Sequence, residues 1–199
     1  MTQAFDAMYD WSKRVVDERV EENDVTVIVG RGQSTREVTS HNCTVRGVRD
    51  GITVVVTFYD YYQAGSPTKV SRGVLRSVLD VFLADGMAPL ECVVRRKTGW
   101  ERFVSVFRRR PPPHPLFATG VIDADAGGRG RNILAQVPFL DALHERMRQP
   151  HFVRLEFQAG TGVTALCRVD PGMLTADVVD SVVQSVADLA HGVTRAARA

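Results

Sequence analysis

The chain has 199 residues, 44% hydrophobic and 24% charged, with a formal net charge of only +2. These are globular values, enough for one domain or two closely joined halves, and they exclude global disorder. No apolar run approaches the roughly 18 residues needed to cross a bilayer. The start lacks a basic stretch followed by an apolar one, so neither a membrane span nor a secretion signal is expected. Cys43, Cys92 and Cys167 are odd in number and far apart. That suits a reducing compartment, and a cytoplasmic location is expected.

Charge is unevenly placed. Residues 1–24 carry seven acids against Lys13, Arg14 and Arg19. Residues 95–110 carry Arg95, Arg96, Lys97, Arg102, Arg108, Arg109 and Arg110 against Glu101 alone. Arginine dominates the bases, which with abundant Ala, Val and Gly points to a GC-rich bacterial coding sequence.

In chain order, Phe5, Met8, Trp11, Val15 and Val16 form a helical stripe. Strands are predicted at 25–29, 43–49 and 52–60, the last two joined by the hairpin signal Arg49-Asp50-Gly51. Ser71 to Asp85 reads as a helix, with Val74, Leu75, Val78, Leu79 and Phe82 on one face and Gly86 as its stop. Strands 90–97 and 100–108 then form a basic hairpin around Lys97-Thr98-Gly99. The stretch RRRPPPHP (108–115) reads as an extended linker, because its prolines lack donors. Further strands are expected at 116–123 and 132–137, with a helix from Pro138 to about Arg148. Strands 152–158 and 162–169 and a helix over 174–190 complete the chain. The predicted class is α+β: antiparallel hairpins packed by helices, divided at 1–110 and 111–199 if two halves form.

An internal similarity raises the possibility of duplication. GITVVVTF (51–58) shares its Gly and Thr with GVTALCRV (162–169). Each is followed by a loop and then an expected apolar helix containing SVL (77–79) or SVV (181–183), so two similar ββα halves are one expectation.

Several motifs invite chemistry. VTVIVGRGQSTRE (25–37) opens like a dinucleotide loop, but Thr35 stands where the third glycine belongs and the continuation reads as strand rather than helix. Without a helix N-terminus no aligned amides would hold a phosphate, so Gly30-Arg31-Gly32 reads as a turn between antiparallel strands. DADAGGRGRN (123–132) spaces Asp123 and Asp125 like calcium ligands, yet Leu134 occupies the position of the bidentate glutamate. A surface loop is the better reading. The histidines make no metal motif, and neither metal nor cofactor is expected. His41 and Cys43 would share a strand face, which leaves an enzyme with an unfamiliar site there as one alternative.

Two features favour contacts over catalysis. The 95–110 segment interleaves arginines with Trp100, Phe103 and Phe107, suiting an acidic protein or a nucleic-acid backbone with stacked bases. FYDYY (58–62) holds three of the four tyrosines, a residue favoured where a surface is apolar and still hydrogen-bonds. Tyr59, Tyr61, Tyr62, Trp100, Arg102 and Arg108 are the candidate contact residues.

The order of a helix, strands, a helix and hairpins, and the segment FVRLEFQAGTGVTALCRVDPGMLTADVVDSVVQSVADLA, resemble the α+β fold of YbjN-like proteins and secretion-type chaperones. A duplicated hairpin-and-helix unit would resemble the quasi-symmetric chaperones of type VII secretion. The resemblance implies a non-catalytic binder of protein segments, dimeric in form. The expected function is a chaperone-like or adaptor-like module for another protein or peptide, or for a second copy in a homodimer. Nucleic-acid binding through 95–110 is the alternative.

Overall fold

The computed structural model describes residues 3–29, 36–63, 74–84, 91–106, 114–124, 141, 144–145 and 152–198. The chain divides into two compact units, Met1–Val81 with Arg168–Ser181, and Phe82–Cys167 with Val182–Ala199. Both combine helix with antiparallel sheet, so the expected α+β class holds.

The first unit starts with helix α1 (Gln3–Ser12), followed by strands β1 (Val16–Val29), β2 (Arg36–Arg49), β3 (Ile52–Gln63) and β4 (Val74–Ala84), which lie in the order β1-β2-β3-β4. The helical stripe stops earlier than its apolar residues suggest. Arg14 N–H bonds the Trp11 carbonyl at 2.8 Å and Val15 N–H that of Ser12 at 3.1 Å, closing a turn. Asp17 then takes a positive φ of 53° and the chain enters β1. The first part of β1, residues 16–24, is rich in acids and lacks apolar alternation; its pairing with β2 makes it a strand.

The β2–β3 hairpin forms as predicted. Asp50 and Gly51 have φ of 51° and 79°, the two positive values that suit a tight hairpin loop. The register sets Cys43 opposite Phe58, Val45 opposite Val56 and Gly47 opposite Val54, and all six are buried. Alternation thus gives β2 and β3 one apolar face. Phe5 of α1 meets Phe58 edge-on, with ring centroids 6.1 Å apart. A Cβ on Gly47 would stand 2.7 Å from Val15 Cγ2, so glycine admits the chain leaving α1.

The helix expected over 71–85 is instead β4. Leu79, Val81 and Leu83 are buried while Asp80, Phe82 and Ala84 are half-buried, a period of two. An almost continuous apolar run satisfies both periods, and its β-branched valines favour the strand. This change also removes the proposed correspondence of halves, since SVL (77–79) is strand and SVV (181–183) is helix.

In the second unit the strands lie in the order β8-β7-β5-β6: β5 (Cys92–Arg96), β6 (Gly120–Ala124), β7 (Phe152–Gln158) and β8 (Gly162–Val169). Val94 sits opposite both Ile122 and Leu155, Cys92 opposite Phe157, and Phe157 opposite Val163, all buried. The predicted 152–158/162–169 hairpin is present, and Gly160 turns it with a φ of 72°. The segment 116–123 is a short helix, α3 (Leu116–Thr119), before β6 begins, because Pro115 already holds helical angles of −54° and −31°.

The last helix, α4 (Ala176–Arg198), is longer than its predicted span. Thr175 caps it, accepting the Val178 amide at 3.3 Å. Its part in the second unit buries Val182, Val183, Val186, Leu189, Ala190 and Val193, the spacing of one helical face. The candidate strand 132–137 lies outside the described residues, as do the linker residues 108–113 and most of the 138–148 helix. Of that helix, Asp141, His144 and Glu145 are helical.

Candidate interaction surface

The second strand of the basic hairpin does not form. Residues Gly99–Val106 are a helix, α2. The reason lies in Thr98-Gly99-Trp100-Glu101. Thr98 Oγ1 accepts the Glu101 amide at 3.3 Å, and Glu101 Oε2 accepts the Thr98 amide at 2.7 Å. This reciprocal pair satisfies two donors that a helix start leaves without partners. Arg102 N–H then makes the first helical bond, to the Thr98 carbonyl at 3.0 Å. The T-x-x-E spacing was present in the sequence; the alternating aromatics suggested a strand instead.

Arg95, at the end of β5, anchors this start. Its Nη1 and Nη2 donate to the two Glu101 oxygens at 2.9 and 2.8 Å, and its Nε to Asp123 Oδ2 of β6 at 3.2 Å. The Arg95 bond, then the Thr98 amide, push the Glu101 carboxyl down to about 2. Glu101 in turn drives the Arg95 guanidinium further up. Lys97 Nζ donates to the Phe117 carbonyl of α3. Asp123, one of the spaced calcium-like acids, is thus an ion-pair partner, while 125–134 lie outside the described residues.

On this fixed helix, Trp100 and Phe103 stack with centroids 5.7 Å apart and planes 26° from parallel. Trp100 is 71% exposed and Phe103 55%, and Val104 beside them is also exposed. Among the described residues, the other large apolar side chains left exposed are Tyr9, Val16, Val25 and Met173. Two turns of one helix therefore hold three of the seven. The Trp–Phe pair thus forms an exposed aromatic ridge on a capped, ion-paired helix start.

The structure sorts the predicted contact residues. Trp100 and Arg102 lie together on α2, both exposed. Tyr59 is half-buried on β3 opposite Asn42, in the first unit. Tyr61 and Tyr62 continue β3, but their side chains lie outside the described residues, as does Arg108 with Phe107. Phe103, Val104, Arg95 and Glu101 complete the surface: the first two extend the ridge, the last two hold it.

No protein family matches the chain, nor does any curated protein or solved structure. The functional reading therefore rests on geometry.

The other candidate chemistry gains little. Strand β2, rather than a helix, follows Gly30-Arg31-Gly32 and pairs antiparallel with β1, the order expected for a turn; residues 30–35 themselves lie outside the described residues. Cys43 is fully buried, and desolvation first, then Glu22, pushes its thiol up to about 11. A thiolate nucleophile needs the opposite shift. His41 is exposed and its Nδ1 lies 2.6 Å from Asp24 Oδ1. Among the described residues no group of three or more His, Cys, Asp or Glu is placed to hold a metal, and no helix is long and apolar enough to cross a membrane.

Proposed function

We propose that this chain is a non-enzymatic module, chaperone-like or adaptor-like, that binds another protein or a peptide segment through the ridge on α2. The observation that carries the reading is the exposed Trp100–Phe103 stack on a helix start held by Thr98, Glu101 and Arg95. Full burial of a large apolar side chain is worth on the order of 1.5–3 kcal/mol, and the two partly exposed rings forgo a share of it. A second protein surface would recover that energy.

Nucleic-acid binding is the weaker reading. Arg95 is already bonded to two carboxylates and Lys97 to a carbonyl, so neither is free to meet phosphates. The two rings also stack on each other, which leaves less of each face for a base.

The test is capture from host lysate by immobilised wild-type protein and by the Trp100→Ala/Phe103→Ala variant, with and without nuclease. With aromatic anchors of about 2 kcal/mol each, capture of a protein partner falls at least about tenfold in the variant, while its circular dichroism is unchanged. Equal capture by both forms would show that the ridge is not the contact. Bound material absorbing at 260 nm and removed by nuclease would favour nucleic acid.

A further inference from the structure

We infer that the α2 ridge takes the acidic β1 edge of a second copy of this chain. The inference rests on the reading of α2 as a protein contact and names its occupant. Three observations converge on β1.

The first is apolar. Apart from the ridge and Met173, the exposed large apolar side chains of the described residues are Tyr9, Val16 and Val25, on α1 and β1. The second is charge. β1 exposes Asp17, Glu18, Glu22 and Asp24, with Arg19 its single base; on the other side Arg95 is already paired with Glu101 and Asp123 and Lys97 with a carbonyl, so Arg102 supplies the positive charge beside the rings. Arg102 is exposed next to the ridge. The third is position. β1 ends the strand order of its unit, and among the described residues no further strand lies on its outer side. A second β1 is a poor partner for it, because two acidic edges repel. A basic, aromatic helix is complementary in both respects. The contact would bury the Trp–Phe stack against Val16 and set Arg102 beside Asp17 and Glu18, an apolar centre with a charged rim.

Each copy carries one ridge and one edge. Two copies can therefore meet twice about a two-fold axis, or a head-to-tail series can continue. Sedimentation of the full chain across about micromolar concentrations reads either outcome as mass rising with concentration. Burial of Trp100 adds a blue shift in its emission over the same range.

Two variants test the two sides: Trp100→Ala/Phe103→Ala removes the ridge and Val16→Ser/Glu18→Lys removes the edge. All four positions are exposed, so both variants should keep the wild-type dichroism. Each alone should self-associate at least about tenfold more weakly than wild type. Mixed, they should form a pair, because one contact between them is intact. Added salt should weaken association by screening the rim. Three results would each overturn the inference: a wild-type chain that stays monomeric, an edge variant that associates like wild type, or folded variants that do not pair when mixed. If the ridge captures a foreign protein while the wild-type chain is monomeric, only this inference fails. If neither capture nor self-association depends on Trp100 and Phe103, the reading of the ridge fails with it.

Discussion

Asp180, near the start of α4, holds the first unit together at one point. Its Oδ1 accepts the Trp11 indole N–H at 3.2 Å and an Arg49 N–H, and its Oδ2 accepts Arg49 Nη2 at 3.1 Å. The Arg49 and Asp180 side chains are 20% and 27% exposed. Replacing Asp180 with Ala leaves the buried indole without an acceptor, a loss of about 1–3 kcal/mol. It also leaves the Arg49 guanidinium with the more distant and exposed Asp50 carboxylate at 3.8 Å, a cost below the roughly 3–5 kcal/mol of breaking a fully buried pair, because solvent still reaches both groups. The expected total is about 3 kcal/mol. With a urea slope of about 2 kcal/mol per molar, the unfolding midpoint falls by about 1.5 M. The nearby Arg14–Asp177 pair, 2.7 Å long, is a control: it is much more exposed, so Asp177→Ala costs less than about 1 kcal/mol. Urea melts followed by far-ultraviolet dichroism measure both, and the Arg49→Ala/Asp180→Ala cycle isolates the ion pair from the indole bond. An Asp180→Ala loss no larger than that of Asp177→Ala would refute the argument.

Three further outcomes are expected. Because the folded Glu101 carboxyl lies at about 2, below its ordinary 4.5, its contribution to the start of α2 is complete above pH 4.5 and lost as pH falls toward 2; the Thr98 amide shift in an NMR titration should report that midpoint, and a midpoint near 4.5 would contradict the bidentate pairing. Gly162→Ala drives a Cβ into the Leu83 carbonyl oxygen and should destabilise by about 1–3 kcal/mol in a thermal melt, whereas an unchanged melting temperature would mean the strands are not so close. Cys43, buried with its thiol at about 11, should react with a disulfide reagent at pH 8 only as fast as the protein opens; labelling at the rate of a free thiol would place it at the surface.

The sequence by itself determined the elements whose signals are local and unambiguous. Asp50-Gly51 could take two positive φ values, so the β2–β3 hairpin and its register followed. Gly160 did the same for β7–β8, and the long Val-rich stripe with Thr175 before it made α4 a helix. Trp100 and Arg102, expected at a surface because basic and aromatic residues stand side by side there, are exposed. The tertiary structure decided the segments whose local pattern fits two periods or none. Residues 74–84 are apolar at both helical and strand spacing, and only the place beside β3 made them β4. Residues 16–24 have no apolar alternation, and pairing with β2 made them a strand. Residues 99–106 alternate like a strand, yet the Thr98–Glu101 bonds and the fork of Arg95 turn them into a helix. The common physical reason is that backbone hydrogen bonds must be satisfied by someone. Where the partners lie far off in sequence, or where a carboxylate from the next turn can substitute for them, the outcome is settled by the assembled fold.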